Sequence, residues 1–264
     1  AAPPTTTADS AGSAWTLSTS SDRPSERKTP ESLSSAETAI RYYGRRKGKP
    51  LKAGRKSLLD ELLPKVRLPK SDGSYDPKSA FAFSPSAVSL EIGFGAGEHL
   101  AAQAAANPSE GFIGSEVFLN GVASIIRHIH EQNLTNVRIY DEDVRRLLPV
   151  LKDASLKRIF LLFPDPWPKT RHAKRRFVSA EMLGEMARLL TDGGELRVAS
   201  DHPVYVRWTL RHASQHPDFR WVVEGPEDWR NRPADSVPTR YEEKAHKEGR
   251  APVFLTFRRQ ARRG

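Results

Sequence analysis

"AVSLEIGFGAGEHLAAQAAANP", residues 87–108, decides the fold. An apolar run carrying one acid, Glu91, leads into Gly93, Gly95 and Gly97, and an Ala-rich stretch follows, closed by Asn107-Pro108. That is a buried strand, a tight turn and a helix, the opening of a βαβ unit. The glycine spacing is G-x-G-x-G. Glu98 stands where the dinucleotide fingerprint has its third glycine, and no Gly-Lys-Ser/Thr follows. Neither that fingerprint nor the P-loop fits. Taken alone, such a turn is also an ordinary strand-to-helix connection.

Outward from this unit, strands are expected in "GFIGSEVF" (111–118), "NVRIYDEDV" (136–144), "LKRIFLLFPDP" (156–166) and "GELRVASD" (194–201). Helices are expected in "LNGVASIIRHIHEQN" (119–133), in "FVSAEMLGEMARLLTDGG" (177–194, capped by Asp192-Gly193-Gly194) and from the end of the last strand to about His212. Two apolar segments follow, "FRWVVE" (219–224) and "APVFLTFRR" (251–259), and "SLLDELLPKVRLP" (57–69) predicts a short helix stopped by Pro64. Strands alternating with helices imply a parallel sheet with right-handed crossovers.

In such sheets ligands lie beyond the carboxyl ends of the strands. Acids recur at that edge: Glu91, Glu116, Asp143 and Asp201, with Asp165 just past the fourth strand. A carboxylate beside the glycine turn suits a cation better than a pyrophosphate. Glu116, about twenty residues further on, suits the two hydroxyls of a ribose. Asp143 suits an adenine amino group. A ligand with a ribose, an adenine and a cationic amino-acid part is S-adenosylmethionine. Singly, Glu116 and Asp143 also read as strand-end or helix-capping acids; the ordered set points to the cofactor.

The formal net charge is +10. Arg41, Arg45, Arg46, Lys47, Lys49, Lys52, Arg55 and Lys56 form one cluster. "FPDPWPKTRHAKRR" (163–176) carries Lys169, Arg171, Lys174, Arg175 and Arg176, and the tail carries Arg258, Arg259, Arg262 and Arg263. Any one cluster is an ordinary solvated surface; three on one chain point to a polyanion, most simply nucleic acid. The absence of cysteine excludes disulfides, thiolate metal sites and cysteine nucleophiles. The eight histidines show no metal-ligand spacing, His128 and His130 being expected to face solvent, so no metal is expected. No apolar run approaches the length of a membrane span and no leader is seen, so no membrane partner and a cytoplasmic location are expected. Residues 1–40, rich in Ser, Thr and Pro, are expected to be a disordered tail. Residues 41–264 are read as a single domain whose basic N-terminal segment is 41–69.

"LEIGFGAGEHL", "GSEVFLNGV", "LLFPDPWPKTRHAKRRF", "RVASDHPVY" and "PTRYEEKAHKEG" follow one another as in bacterial tRNA (guanine-N7-)-methyltransferases, which this chain resembles over residues 40–259. "YYGRRKGKPLKAGRKSLLDELLP" (42–64) looks like that family's N-terminal segment. The FPDPW-x-K-x-R-H-x-K-R-R stretch is specific, whereas the glycine loop is shared by many methyltransferases. The resemblance implies a class I methyltransferase (Rossmann-like) α/β fold, a seven-stranded, mostly parallel sheet with helices on both faces. It implies methyl transfer from S-adenosylmethionine to N7 of the guanosine at tRNA position 46, in the variable loop. It implies cofactor contacts at Glu91, Glu116, Asp143 and Asp165 around the glycine loop, with Asp165 as the catalytic residue. It implies substrate contacts at Lys169, Asp201, Thr239, Arg240, Tyr241 and Glu242, and an RNA-contacting segment from Arg171 to Arg176. Pro168 stands where other members can carry His, so that position supplies no essential side-chain chemistry.

Guanine N7 has a lone pair and no proton, so its methylation needs no base. It needs in-line placement and stabilisation of a purine that becomes cationic. Asp165 and Asp201 are expected to orient the base and balance its charge. Arg175 and Arg176 are expected to grip phosphate, so that losing either lowers the salt dependence of tRNA binding. Trp167 either stacks on the target base or packs under its own loop. Thr239 and Glu242 have capping-box spacing, which would fix the start of a helix at the guanosine. The rival readings are a class I methyltransferase of another RNA or of a small molecule, and a non-catalytic RNA-binding protein on a relic cofactor fold. The basic clusters speak against a small molecule, and the intact acid-and-glycine set speaks against a relic. The sequence does not distinguish a monomer from a homodimer.

Overall fold

The computed structural model describes residues 46–69 and 73–263. The expected disordered tail, residues 1–40, and the start of the basic segment lie outside the described residues. The elements in chain order are α1 Ala53–Val66, β1 Val88–Ile92, α2 Glu98–Ala106, β2 Gly111–Ser115, α3 Leu119–Glu131, β3 Val137–Tyr140, α4 Val144–Leu147 and β4 Leu156–Leu162. Then come α5 Ala180–Leu189, β5 Leu190–Ser200, α6 Pro203–Gln215, β6 Phe219–Trp221, α7 Glu227–Arg230, α8 Arg240–Lys247 and β7 Val253–Arg259.

The strands form a seven-stranded sheet in the order β3-β2-β1-β4-β5-β7-β6. Pairing is parallel from β3 to β5, while β7 runs antiparallel between β5 and β6. The chain winds from β1 outward to β3, then returns to lay β4 on the other edge of β1. The β1–β4 border is therefore the topological switch point, where such sheets open a crevice for ligands. All five residues of β1 are buried, as expected for a strand with parallel neighbours on both sides and helices on both faces.

Alternate residues of the strands feed two cores. Phe112 and Ile139 pack with Leu59, Leu63, Ile125 and Ile126 of α1 and α3 on one face. Ile113, Ile159 and Val198 pack with Leu183, Met186 and Tyr205 of α5 and α6 on the other. Each fully buried Ile or Leu of this kind contributes about 1.5–3 kcal/mol.

Three local expectations need correction. Pro64 does not stop α1, which runs from Ala53 to Val66 around it. The proline removes one amide donor near the helix end, and Leu59 and Leu63 hold the apolar face against the core. The helix expected over 177–194 is shorter: it starts behind Ser179, whose Oγ accepts from Met182 N–H at 3.2 Å, and ends at Leu189. Leu190 is already extended and pairs with Leu156, so Asp192-Gly193-Gly194 belongs to β5, beside a register shift, and does not cap the helix. The C-terminal arginines are not a free cationic face either. Arg259 is buried and donates to Ala187 O, Arg262 donates to the Asp192 carboxylate and to Arg188 and Leu190 carbonyls, and Arg258 pairs with Glu195. His130 is exposed as expected, and His128 is half-buried.

Candidate active site

Gly93, Gly95 and Gly97 all have left-handed φ, +70°, +59° and +82°, which lets the chain turn sharply from β1 into α2. A Cβ at Gly93 would meet nothing within 4 Å, so the turn faces open space beyond β1. Gly121 closes the other side. A Cβ there would lie 2.1 Å from the Gly95 carbonyl oxygen, so the start of α3 and the glycine loop touch backbone to backbone.

Glu116, just after β2, binds this loop. Its Oε1 accepts from the N–H groups of Val117 (2.8 Å) and Phe118 (2.9 Å), and its Oε2 from Gly95 (3.0 Å). One acceptor site on Oε2 stays open. Burial pushes the carboxyl above its ordinary value of 4.5; the three N–H donors pull it down, and the nearby Asp165 charge pushes it up again. The influence of Asp165 brings β2's acid and the loop after β4 into one site.

Glu91 is buried within β1, and His99 Nδ1 of α2 lies 2.8 Å from its Oε2. Phe160 holds the imidazole edge-on at 4.8 Å. No local pattern in the sequence marks His99; a His eight residues past a strand acid becomes its partner only when α2 folds back. His99→Gln keeps a donor but loses the ring packing, and is expected to cost about 1 kcal/mol in urea unfolding. Asp143 caps α4 through Arg145 N–H and is held by the Arg145 side chain, with Nε 2.9 Å from Oδ1. Burial alone would raise its pKa, but the Arg145 hydrogen bonds carry it below the ordinary value.

The loop after β4 is strained. Phe163 and Trp167, neither of them glycine, sit at φ +51° and +40° on either side of Asp165. Each costs on the order of 1 kcal/mol, which the surroundings must offset. The Phe163 N–H donates to Ala199 O at 2.8 Å, tying the exit of β4 to β5. Asp165 itself is exposed, between Pro164 and Pro166.

Past the loop, the expected cationic surface divides. Lys169 is exposed just before a short 3-10 helix, Thr170–Arg175, and Arg171 and Lys174 are exposed on it. Slight desolvation and the charges of Arg175, Arg171 and Lys169 push His172, on the same turn, below its ordinary value. Arg175 lies over the Trp167 ring, 4.8 Å from its centroid, and His172 meets that ring edge-on at 5.7 Å. Trp167 is thus packed within its own segment. Arg176 corrects the expectation outright. It is buried, 8% exposed, and its guanidinium points back under the loop instead of out toward RNA.

Asp201 follows β5, the strand beside β4, and its Oδ2 accepts from Arg250 Nε at 2.6 Å. Thr239 caps α8, its Oγ1 accepting from Glu242 N–H at 3.2 Å. The capping box is one-sided, because the buried Glu242 carboxylate turns to Arg232 Nε at 3.1 Å. Tyr241 lies against the glycine loop, with Cε2 3.0 Å from where a Gly95 Cβ would stand. Arg240 reaches to within 3.9 Å of Glu98 at the start of α2. These contacts bring the segment 239–242 to the same edge as Glu116. A pocket beside it is lined by His99, Phe160, Arg197, Arg232, Thr239 and Glu242. The basic N-terminal segment reaches this edge too: Gly48 N–H donates to Asn120 Oδ1 (2.9 Å), and Asn120 Nδ2 to Lys49 O (2.8 Å), at the start of α3. Among the described residues no group of His, Asp and Glu could hold a metal, and no helix is long and apolar enough to cross a membrane.

The open turn at Gly93, a carboxylate inside β1, a second one holding the loop from β2, and the sheet order with its reversed β7 together define a class I, S-adenosylmethionine-dependent methyltransferase. A family profile described as "Putative methyltransferase" matches residues 85–255. Over 226 residues the chain is 56% identical to the tRNA (guanine-N(7)-)-methyltransferase of Rhodospirillum rubrum, covering 84% of this chain and 89% of that protein. It is 50% identical over 238 residues to the protein of the same name from Paramagnetospirillum magneticum, covering 89% and 99%. A solved 16S rRNA methyltransferase, KamB, aligns with a TM-score of 0.48 at 18% identity, over 67% of this chain and 89% of that one. The chain belongs to the tRNA (guanine-N7-)-methyltransferase family.

Proposed function

We propose that this protein transfers the methyl group of S-adenosylmethionine to N7 of guanosine in tRNA, at position 46 of the variable loop. The observation that carries the reading is the loop after β4: it sets Asp165 within the electrostatic reach of Glu116 and continues directly into the exposed Lys169, Arg171 and Lys174. S-adenosylmethionine, when bound, supplies a methyl group on a cationic sulfur. Glu91, whose Oε2 already meets His99, would hold its ammonium with the acceptor sites that remain on the carboxylate. Glu116 would accept from a ribose hydroxyl at the open site on its carboxylate. Asp143, whose carboxylate is shared with Arg145, would meet the adenine amino group. Asp165 faces the purine as it becomes cationic, and Asp201 accepts from the guanine N1–H and 2-amino edge, leaving N7 free to attack. Neither acid needs to take a proton. Lys169, Arg171 and Lys174 hold the flanking phosphates, contacts that position the RNA without reading its sequence.

Glu116 makes cofactor binding pH-dependent. Its folded pKa is raised, so in the free protein the stability gained from the neutral acid is full below the ordinary value of 4.5 and lost as pH rises through the raised value. The ribose needs the carboxylate, so affinity runs the other way. Cofactor affinity is expected to fall up to about tenfold per pH unit as pH drops through the raised value, which lies above the ordinary 4.5. Calorimetric titration with S-adenosylhomocysteine checks this; Glu116→Gln should bind weakly at every pH and lose the dependence.

The function itself is tested by incubating the protein with bulk tRNA and methyl-labelled cofactor, then cleaving with aniline at 7-methylguanosine. A single cleavage in the variable loop is expected. Label on another base would assign another RNA methyltransferase activity, and absence of cofactor binding would favour a non-catalytic RNA-binding protein.

A further inference from the structure

Arg176 sits where the sequence pattern puts a phosphate-binding cation, yet its surroundings are those of an internal clasp. Its Nε lies 3.2 Å from both Pro166 O and Trp167 O, and its Nη2 donates to Trp167 O at 3.0 Å and reaches Pro168 O at 3.5 Å. The guanidinium stacks on Trp208 of α6, 4.5 Å from the ring centroid. Trp208 is itself held by its indole N–H, which donates to Val178 O at 2.7 Å. The buried Tyr205 on the same helix feels the charges of both Arg176 and Asp165.

These carbonyls belong to the three residues after Asp165, in the segment that leaves the sheet through the two left-handed residues Phe163 and Trp167. Such a segment relaxes unless something holds it. Prolines at 164, 166 and 168 remove amide donors, so the loop makes few hydrogen bonds of its own. A planar fork of N–H groups reaching successive carbonyls is what a guanidinium provides and an ammonium does not.

We infer that Arg176 is a positioning residue for methyl transfer: it holds the backbone of the Asp165 loop from beneath and does not contact RNA. The inference rests on the proposed role of Asp165. Arg176 acts on the rate through the geometry of the loop, whereas Arg171, exposed on the 3-10 helix, acts on RNA affinity.

The test compares Arg176→Gln, Arg176→Lys and Arg171→Ala in the full chain. Turnover is measured at saturating cofactor and tRNA, and tRNA binding across a salt series. Arg176→Gln should lower turnover about tenfold or more, as expected when reacting groups are misplaced, with the KM for tRNA and the salt slope unchanged. Arg176→Lys should recover only part of the rate. Arg171→Ala should lower the salt slope by about one and raise the KM for tRNA. A salt slope that falls in Arg176→Gln as it does in Arg171→Ala overturns the inference, as does unchanged turnover. If Arg176→Gln fails to fold, Trp208→Leu removes the stacking face and leaves the guanidinium: reduced turnover at an unchanged salt slope supports the clasp, and unchanged turnover overturns it. Wild-type protein that forms no 7-methylguanosine defeats the functional reading itself, a result separate from all of these.

Discussion

Asp165→Asn is expected to slow single-turnover methyl transfer about a hundred- to a thousandfold, the effect of removing one preorganised electrostatic partner of a developing charge. The substitution keeps the shape and the Pro-Asp-Pro geometry but removes the negative charge that would face a cationic purine. Cofactor affinity should change little, because the proposed function gives the hold on the cofactor to Glu91 and Glu116. The loss should not recover at high pH, since N7 has no proton to give up. A wild-type rate that follows a carboxylate ionisation, together with recovery of the variant in base, would make Asp165 a general base and sink the charge-balancing role.

Gly121→Ala is expected to lower cofactor affinity about a hundredfold and protein stability by about 3 kcal/mol, the upper end of what overpacking costs. The added methyl would stand 2.1 Å from the Gly95 carbonyl oxygen and 3.2 Å from Glu116 Cγ. The near atom is backbone, so no rotamer relieves the clash; either α3 lifts or the glycine loop moves, and the Gly95–Glu116 hydrogen bond goes with it. Calorimetric titration with S-adenosylhomocysteine and a thermal melt read both effects. Gly184→Ala in α5 is the control. A Cβ there meets nothing within 4 Å, and the helix should gain about 0.5–1 kcal/mol. A Gly121→Ala protein that binds cofactor normally would show that the loop and α3 do not need this contact.

Much of this site is legible in the residues. Strand, glycine turn and helix at 87–108, and acids at successive strand ends, place Glu91, Glu116 and Asp143 at one edge before any coordinates are known. The capping role of Thr239 is legible too, from spacing alone. Two helix limits were not. Pro64 and the Asp192-Gly193-Gly194 turn carry local stop signals, and the core packing of α1 and the pairing of Leu190 with Leu156 override them. His99 and Gly121 give no local signal at all, because their importance lies in what folds against them.

The sequence by itself determined the order of strands and helices, the edge at which the acids gather and the class of ligand they suit. Those properties depend on period, spacing and residue type, which are local. Only the tertiary structure decided which cations face outward. Lys169, Arg171 and Lys174 are exposed, while Arg176 and Arg259, identical to their neighbours in composition, are buried against carbonyls and aromatic or acidic partners. Whether a guanidinium meets solvent or a protein carbonyl depends on packing between segments distant in the chain, and charge counted along a sequence carries no record of it.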